Sequence, residues 1–279
     1  ENGIVEKVEP LNLPKDKYPI LGWPFVRGIV TFADSMVKGM RALTYSASLL
    51  PEEEQEEPSK FDLWLEKKLG SEKAEKYVIG IAAVLGVLLA VALFILLPTL
   101  IAGFIPGIEG HYTLRSLIEG VIKIVIFLVY LGLVAHMKEI KRLFSYHGAE
   151  HKTIFCYEKG LPLTVENVRP QSRFHPRCGT SFLLVVIILG LFVGLLIQVD
   201  NTLLRIALRI LLLPVLVAVA YEINRWAGRH DANIVSRIVT WPGKQLQRLT
   251  TNEPDDGMIE CAIRAMKLVI PEEKGKDAW

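Results

Sequence analysis

Cysteine is scarce in this sequence: Cys156, Cys178 and Cys261 are the whole set, odd in number and far apart. A disulfide-stapled scaffold is therefore excluded. An excess of one charge is equally lacking. The 32 lysines and arginines meet 30 aspartates and glutamates, a net +2, too little and too dispersed to make nucleic acid a partner. The opening stretch, Glu1 to Lys17, is polar, so no cleavable signal peptide is expected there. Internal repeats and low-complexity tracts are missing as well.

What the chain has is apolar length. Hydrophobic residues make up 51% of it and the mean hydropathy is +0.34, yet 22% is charged. That mixture belongs to a membrane protein with substantial water-facing parts. Val78–Ile105 carries no charge and exceeds the roughly 20 residues that cross a hydrocarbon core. Further spans are expected over Leu117–Ala135, Ser181–Val199 and Leu203–Tyr221, the last two forming a hairpin about Asp200-Asn201. Pro98 is expected to bend or end the first span. The fold class is thus mostly α, a polytopic membrane protein of four spans. It divides into an N-terminal segment (1–76), a transmembrane domain (77–222) with an internal loop at 137–180, and a C-terminal tail (223–279).

Lysine and arginine set the orientation. Lys138, Lys141, Arg142, Lys152, Lys159, Arg169, Arg173 and Arg177 crowd the 137–180 loop, and Lys67, Lys68, Lys73 and Lys76 precede the first span. The positive-inside rule puts this loop and both termini in the cytoplasm. Outside the spans, Phe25, Ile29, Phe32, Met36, Met40 and Leu43 recur at helical spacing opposite Arg27, Asp34, Lys38 and Arg41. An amphipathic helix on the bilayer surface or against a neighbour follows. Glu52–Glu57 up to Pro58 reads as an acidic linker, Phe61–Lys76 as a short charged helix, and Trp241-Pro242-Gly243 as a loop. Pro254-Asp255-Asp256 opens a closing helix whose apolar face is Ile259, Ile263, Met266 and Ile270.

The chemistry gathers in the 137–180 loop. His147, Glu150 and His151 form an H-x-x-E-H pattern. On a helix the two imidazoles share a face and can grip one metal ion, with Glu150 as general base on a metal-bound water. His175-Pro176-Arg177-Cys178 arrives at the same membrane face just before the third span, so His175 or Cys178 completes the ligand set. Glu222, at the inner end of the fourth span, is the reserve ligand; His230, Asp231 and Glu253 are more remote. Zn²⁺ is the first expectation and Fe²⁺ the second. The two clusters meet only if the second span breaks near Lys138, tilts, or the loop folds back. Cys178 activated by His175 is a competing, nucleophilic reading. Glu119 with Lys123, and Arg205 with Arg209, sit near the far ends of their spans, where long side chains snorkel or pair.

Phe144–Lys152 together with His175–Phe182 resembles the YqhQ-like family of bacterial multi-pass membrane proteins of unknown function. The likeness continues through Pro24–Gly28, Tyr221-Glu222, Pro242-Gly243, Gln247, Leu249–Thr251 and Glu253-Pro254. Members of that family open with a Gly-Gly-Gln-Ala-Val-type segment that this sequence lacks. The resemblance implies the bacterial plasma membrane and metal-dependent enzyme chemistry. Three functions stay open: a metal-dependent hydrolase, with peptidase among its forms; a scaffold or assembly factor with a membrane or cytoplasmic protein partner; and a transporter using Glu119 and Lys123. In all three the lipid bilayer is the first partner.

Overall fold

Apolar length becomes helix throughout. The structure, a computed structural model, describes residues 4–10, 12–49, 63–64, 67–68, 70–107, 110–199, 201–230 and 233–271, and no strand occurs among them. After short turns at Pro14–Lys17 and Pro19–Gly22 comes α1, Val26–Ser48. Helix α2 runs over Ser71–Val91, passes through a π-helical turn at Ala92–Leu96 and continues as Leu97–Gly103. Then follow α3 (Tyr112–Ala135), α4 (Lys138–Glu158), α5 (Gly179–Leu196), α6 (Thr202–Arg229), α7 (Ile234–Thr250) and α8 (Asp256–Val269). Tyr77–Gly103, α3, α5 and α6 are long and apolar enough to cross a membrane. The chain is therefore a mostly helical, polytopic membrane protein. The acidic linker at Glu52–Glu57, and Asp200 and Asp231, lie outside the described residues, as do positions 61, 62, 65, 66 and 69 of the charged helix expected over Phe61–Lys76.

Proline explains one departure from regular α-helix and fails to cause another. Pro98 has no N–H to offer the carbonyl of Phe94, and the first span widens into its π-turn over the residues just before it. The loop expected at Trp241-Pro242-Gly243 is instead the middle of α7. One missing hydrogen bond is outweighed there by burial: Ser236, Thr240, Gly243, Gln247 and Thr250 recur at spacings of four and three and are all buried. Gly243 lies so close to α5 that an added Cβ would stand 2.4 Å from Ser181 Cβ.

Helix α5 is the hub, packed on α3, α6 and α7. Phe127, Leu184 and Leu246 form the core between α3, α5 and α7, with Phe94 and Ile188 against them. Helix α1 docks on α6 through Gly28 against Tyr221. Phe25 holds φ +66 at its start, an uncommon conformation outside glycine. It is clamped by Glu222, whose Oε1 accepts from the Phe25 amide (3.1 Å) and from Arg27 Nε (2.7 Å). The remaining apolar stripe of α1, including Met36, Met40 and Leu43, stays exposed on this chain, as an interfacial helix requires.

The continuity of α3 into the loop ends at His136. Met137 is extended (φ −66, ψ 137) and caps α4, which starts afresh at Lys138. This break lets α4 fold back over the bundle end instead of projecting from it.

Candidate metal centre

Helix α4 is two-faced. Ala149 and Cys156 pack with Val168, Ile259 and Ile263 into a core shared with α8. His147 and His151, on the opposite side, turn toward the start of α5. Gly148 makes the approach possible: an added Cβ would stand 2.0 Å from the carbonyl oxygen of Asn252. The segment after α7 thus lies directly on α4, with the Asn252 amide donating to Phe144 O at 2.9 Å. At its other end α4 stops at Gly160, φ +67, where the Leu161 amide bonds back to Cys156 O at 3.1 Å. That left-handed terminus suits glycine and reverses the chain toward Cys178.

Three ligand atoms converge. The side chains of His147, His151 and Cys178 place their donor atoms within 4.8 Å of one another, and His147 Nε2 stands 3.2 Å from Cys178 Sγ. The tautomers follow from the other ring nitrogens. His147 Nδ1 lies 2.8 Å from Thr250 O and His151 Nδ1 lies 2.6 Å from Arg173 O. Carbonyls only accept, so both Nδ1 atoms carry protons, and in the neutral rings both Nε2 lone pairs are free to face the thiol. Backbone carbonyls behind histidine ligands are a recurrent way of orienting metal sites. The donor set fits Zn²⁺. Ordinary Zn–N and Zn–S bonds imply a tetrahedral N–S edge of about 3.5 Å, close to the 3.2 Å observed. Three protein ligands would leave one position open, as in catalytic zinc sites.

The electrostatics run the same way. Burial opposes the Cys178 thiolate, but hydrogen bonds and charge from His147 and His151 outweigh it and bring the thiol down to about 5. Burial likewise opposes a charged His147, yet Cys178, the Thr250 carbonyl and Glu150 raise it above 6.5. The depressed thiol contributes stability at alkaline pH that is lost as pH falls through about 5; the raised imidazole contributes stability in acid that is lost as pH rises through its own value. The thiolate–imidazolium pair is thus confined to the window between. Thr180 Oγ1, 3.1 Å from Sγ, supports the thiolate too. In chelator-treated protein, iodoacetamide alkylation of Cys178 is expected to hold its rate down to about pH 6. An ordinary thiol would lose about tenfold per unit, and that slope would count against the pair.

Not every sequence-picked residue joins the group. His175 is buried beside it, its ring 5.7 Å from that of His151, but both its nitrogens are committed. The Arg177 amide donates to Nδ1 (3.3 Å), leaving Nε2–H for Glu158 Oε2 (3.2 Å). Glu150 is exposed and does not join the group. Glu222 is engaged by Arg27 and Phe25, and Glu253 pairs with Lys152 (2.7 Å) and Arg173 (3.4 Å). The main support comes from a residue given no role in the sequence reading: buried Gln247 accepts from the His175 amide and donates to its carbonyl, both at 2.7 Å. One side chain thereby fixes the loop that delivers Cys178. Its sequence signal was its place in the YqhQ-like resemblance, with no role attached to it.

The family described as "Protein of unknown function (DUF1385)" matches residues 23–272. The chain belongs to this DUF1385 family. It is also similar to the uncharacterized protein YqhQ of Bacillus subtilis (strain 168), 36% identical over 247 residues that cover 88% of this chain and 77% of the relative. No solved structure matches. The stretch matched in the DUF1385 family includes His147, His151, Cys178, Gln247 and Thr250.

Proposed function

We propose that this DUF1385 protein is a zinc-dependent hydrolase whose centre lies at the cytoplasmic face of a bacterial plasma membrane. One observation carries the reading: a buried thiol and two imidazoles of fixed tautomer converge within 4.8 Å. Such a donor set is suited to Zn²⁺ before Fe²⁺. Bound there, the ion would supply Lewis acidity and a lowered water pKa. The chain's own residues do the rest. Thr250 O and Arg173 O hold the rings, Thr180 steadies the thiolate, and Glu150, exposed to solvent beside His151 in the chain, accepts the proton of the attacking water. The basic residues of the 137–180 segment support the cytoplasmic placement.

Elemental analysis of the purified protein tests this. About one zinc per chain is expected, kept in Glu150→Gln and lost in His147→Ala or Cys178→Ala. Less than about a tenth of an equivalent of any transition metal would sink the reading. Cys178 as a nucleophile is the second reading. It is favoured by the placement of Cys178 at the N-cap of α5 with His147 Nε2 beside the sulfur, and it requires the metal-free result.

A further inference from the structure

At the end of α5 away from Cys178, the described residues bury more positive charge than negative. Glu119 is 1% exposed and Arg205 is fully buried. Arg205 donates to Glu119 Oε1 (3.1 Å) and to Ile197 O (3.3 Å). Arg209 donates to Glu119 Oε2 and to Thr99 Oγ1 (2.9 Å), and Arg115 Nε stands 3.4 Å from Glu119 Oε1. Among the described residues Glu119 is the carboxylate these three arginines share, so three positive charges meet one negative and two remain. Guanidinium does not deprotonate in proteins, so the excess is not relieved by losing a proton.

The unused donors point the same way. Arg205 Nε, Arg115 Nε and Ser116 Oγ are buried with no hydrogen-bond partner among the described residues. An imbalance of cations and idle donors inside a membrane domain calls for an anion. Arg115 and Arg205 each lie three residues into their helices, about 5 Å from the helix ends and so at the depth of the headgroup layer. The side chains of Arg115 and Arg209 keep 19% and 10% of their surface, which leaves a way in.

We propose that Arg115, Ser116, Arg205 and Arg209 form a binding site for a phosphate-bearing anion in the leaflet distal to the histidine–cysteine group. Guanidinium forks match phosphate oxygens in pairs. The site is independent of the metal centre, since α5 holds them about 27 Å apart. Its ligand is the phosphodiester of a lipid headgroup or free phosphate.

Native mass spectrometry of the full chain in mild detergent, followed by delipidation and binding of radiolabelled inorganic phosphate, tests it. Expected is one tightly held phospholipid per chain, or saturable phosphate binding after delipidation. Arg115→Gln weakens either by at least about tenfold. Ser116→Asp supplies the missing counter-charge from within, so it abolishes anion binding while leaving the melting temperature equal or higher. Phospholipid that millimolar phosphate does not displace identifies the headgroup as ligand; displacement identifies free phosphate as a competent one. Wild-type chain that retains neither anion, or retention unchanged in both variants, overturns the proposal.

Discussion

Glu119→Gln is expected to lower the stability of the folded chain by about 3–5 kcal/mol, the usual cost of leaving a buried charge without its partner. Glu119 is the anion on which Arg115, Arg205 and Arg209 converge, and Arg205 has no exposed surface through which to reach water. Amide replaces carboxylate with nearly the same shape, so packing is preserved and the loss is electrostatic. Unfolding of the purified protein in detergent, followed by circular dichroism against denaturant, reads the change. Arg209→Gln in the same background is expected to recover part of it, because two members of one cluster do not add independently. A Glu119→Gln protein within about 0.5 kcal/mol of wild type would mean that the cluster is neutralised by something other than this carboxylate.

Gly148→Ala is expected to cost about 1–3 kcal/mol and to weaken metal binding by about 10–100-fold. The new Cβ would meet a backbone oxygen, Asn252 O, at 2.0 Å, so no side chain can rotate out of the way. Either α4 backs away or the 250–254 segment lifts, and the Thr250 carbonyl then leaves His147 Nδ1. Gly132→Ala is the matched control. Nothing lies within 4 Å of its Cβ position, and alanine in a helix is favoured over glycine by about 0.5–1 kcal/mol. Zinc affinity and thermal unfolding of the two variants should move in opposite directions or, for Gly132→Ala, not at all. Equal behaviour would mean that the contact at Asn252 does not position the site.

Much of the fold was written locally. Four apolar runs, a proline near a widened turn, and the Asp255 cap of α8, which accepts from Met258 N at 2.8 Å, are all near-neighbour effects. So was the i, i+4 pairing of His147 with His151. What failed to be legible was long-range. Glu119, Lys123, Arg205 and Arg209 were expected to snorkel or pair; Glu119 does pair, but its partners include two guanidiniums from α6, 86 and 90 positions away, which spacing does not reveal. Those side chains are buried instead of reaching for the interface. The choice between His175 and Cys178 was similarly undecidable from spacing, because it turns on Glu158 and the Arg177 amide taking both nitrogens of His175. Pro242 read as a loop because proline is a local breaker, while the burial that keeps α7 continuous is tertiary.

The histidine orientations rest on main-chain oxygens at positions 173 and 250. Every amino acid carries that oxygen. The side chains of Arg173 and Thr250 are therefore free, so far as the two imidazoles are concerned, to drift over evolutionary time. The path of the chain past Gly148 and Gln247 is what must be inherited. Related sequences can thus keep the same pair of tautomers with quite different residues behind the rings, and a comparison of letters alone would undervalue those two positions.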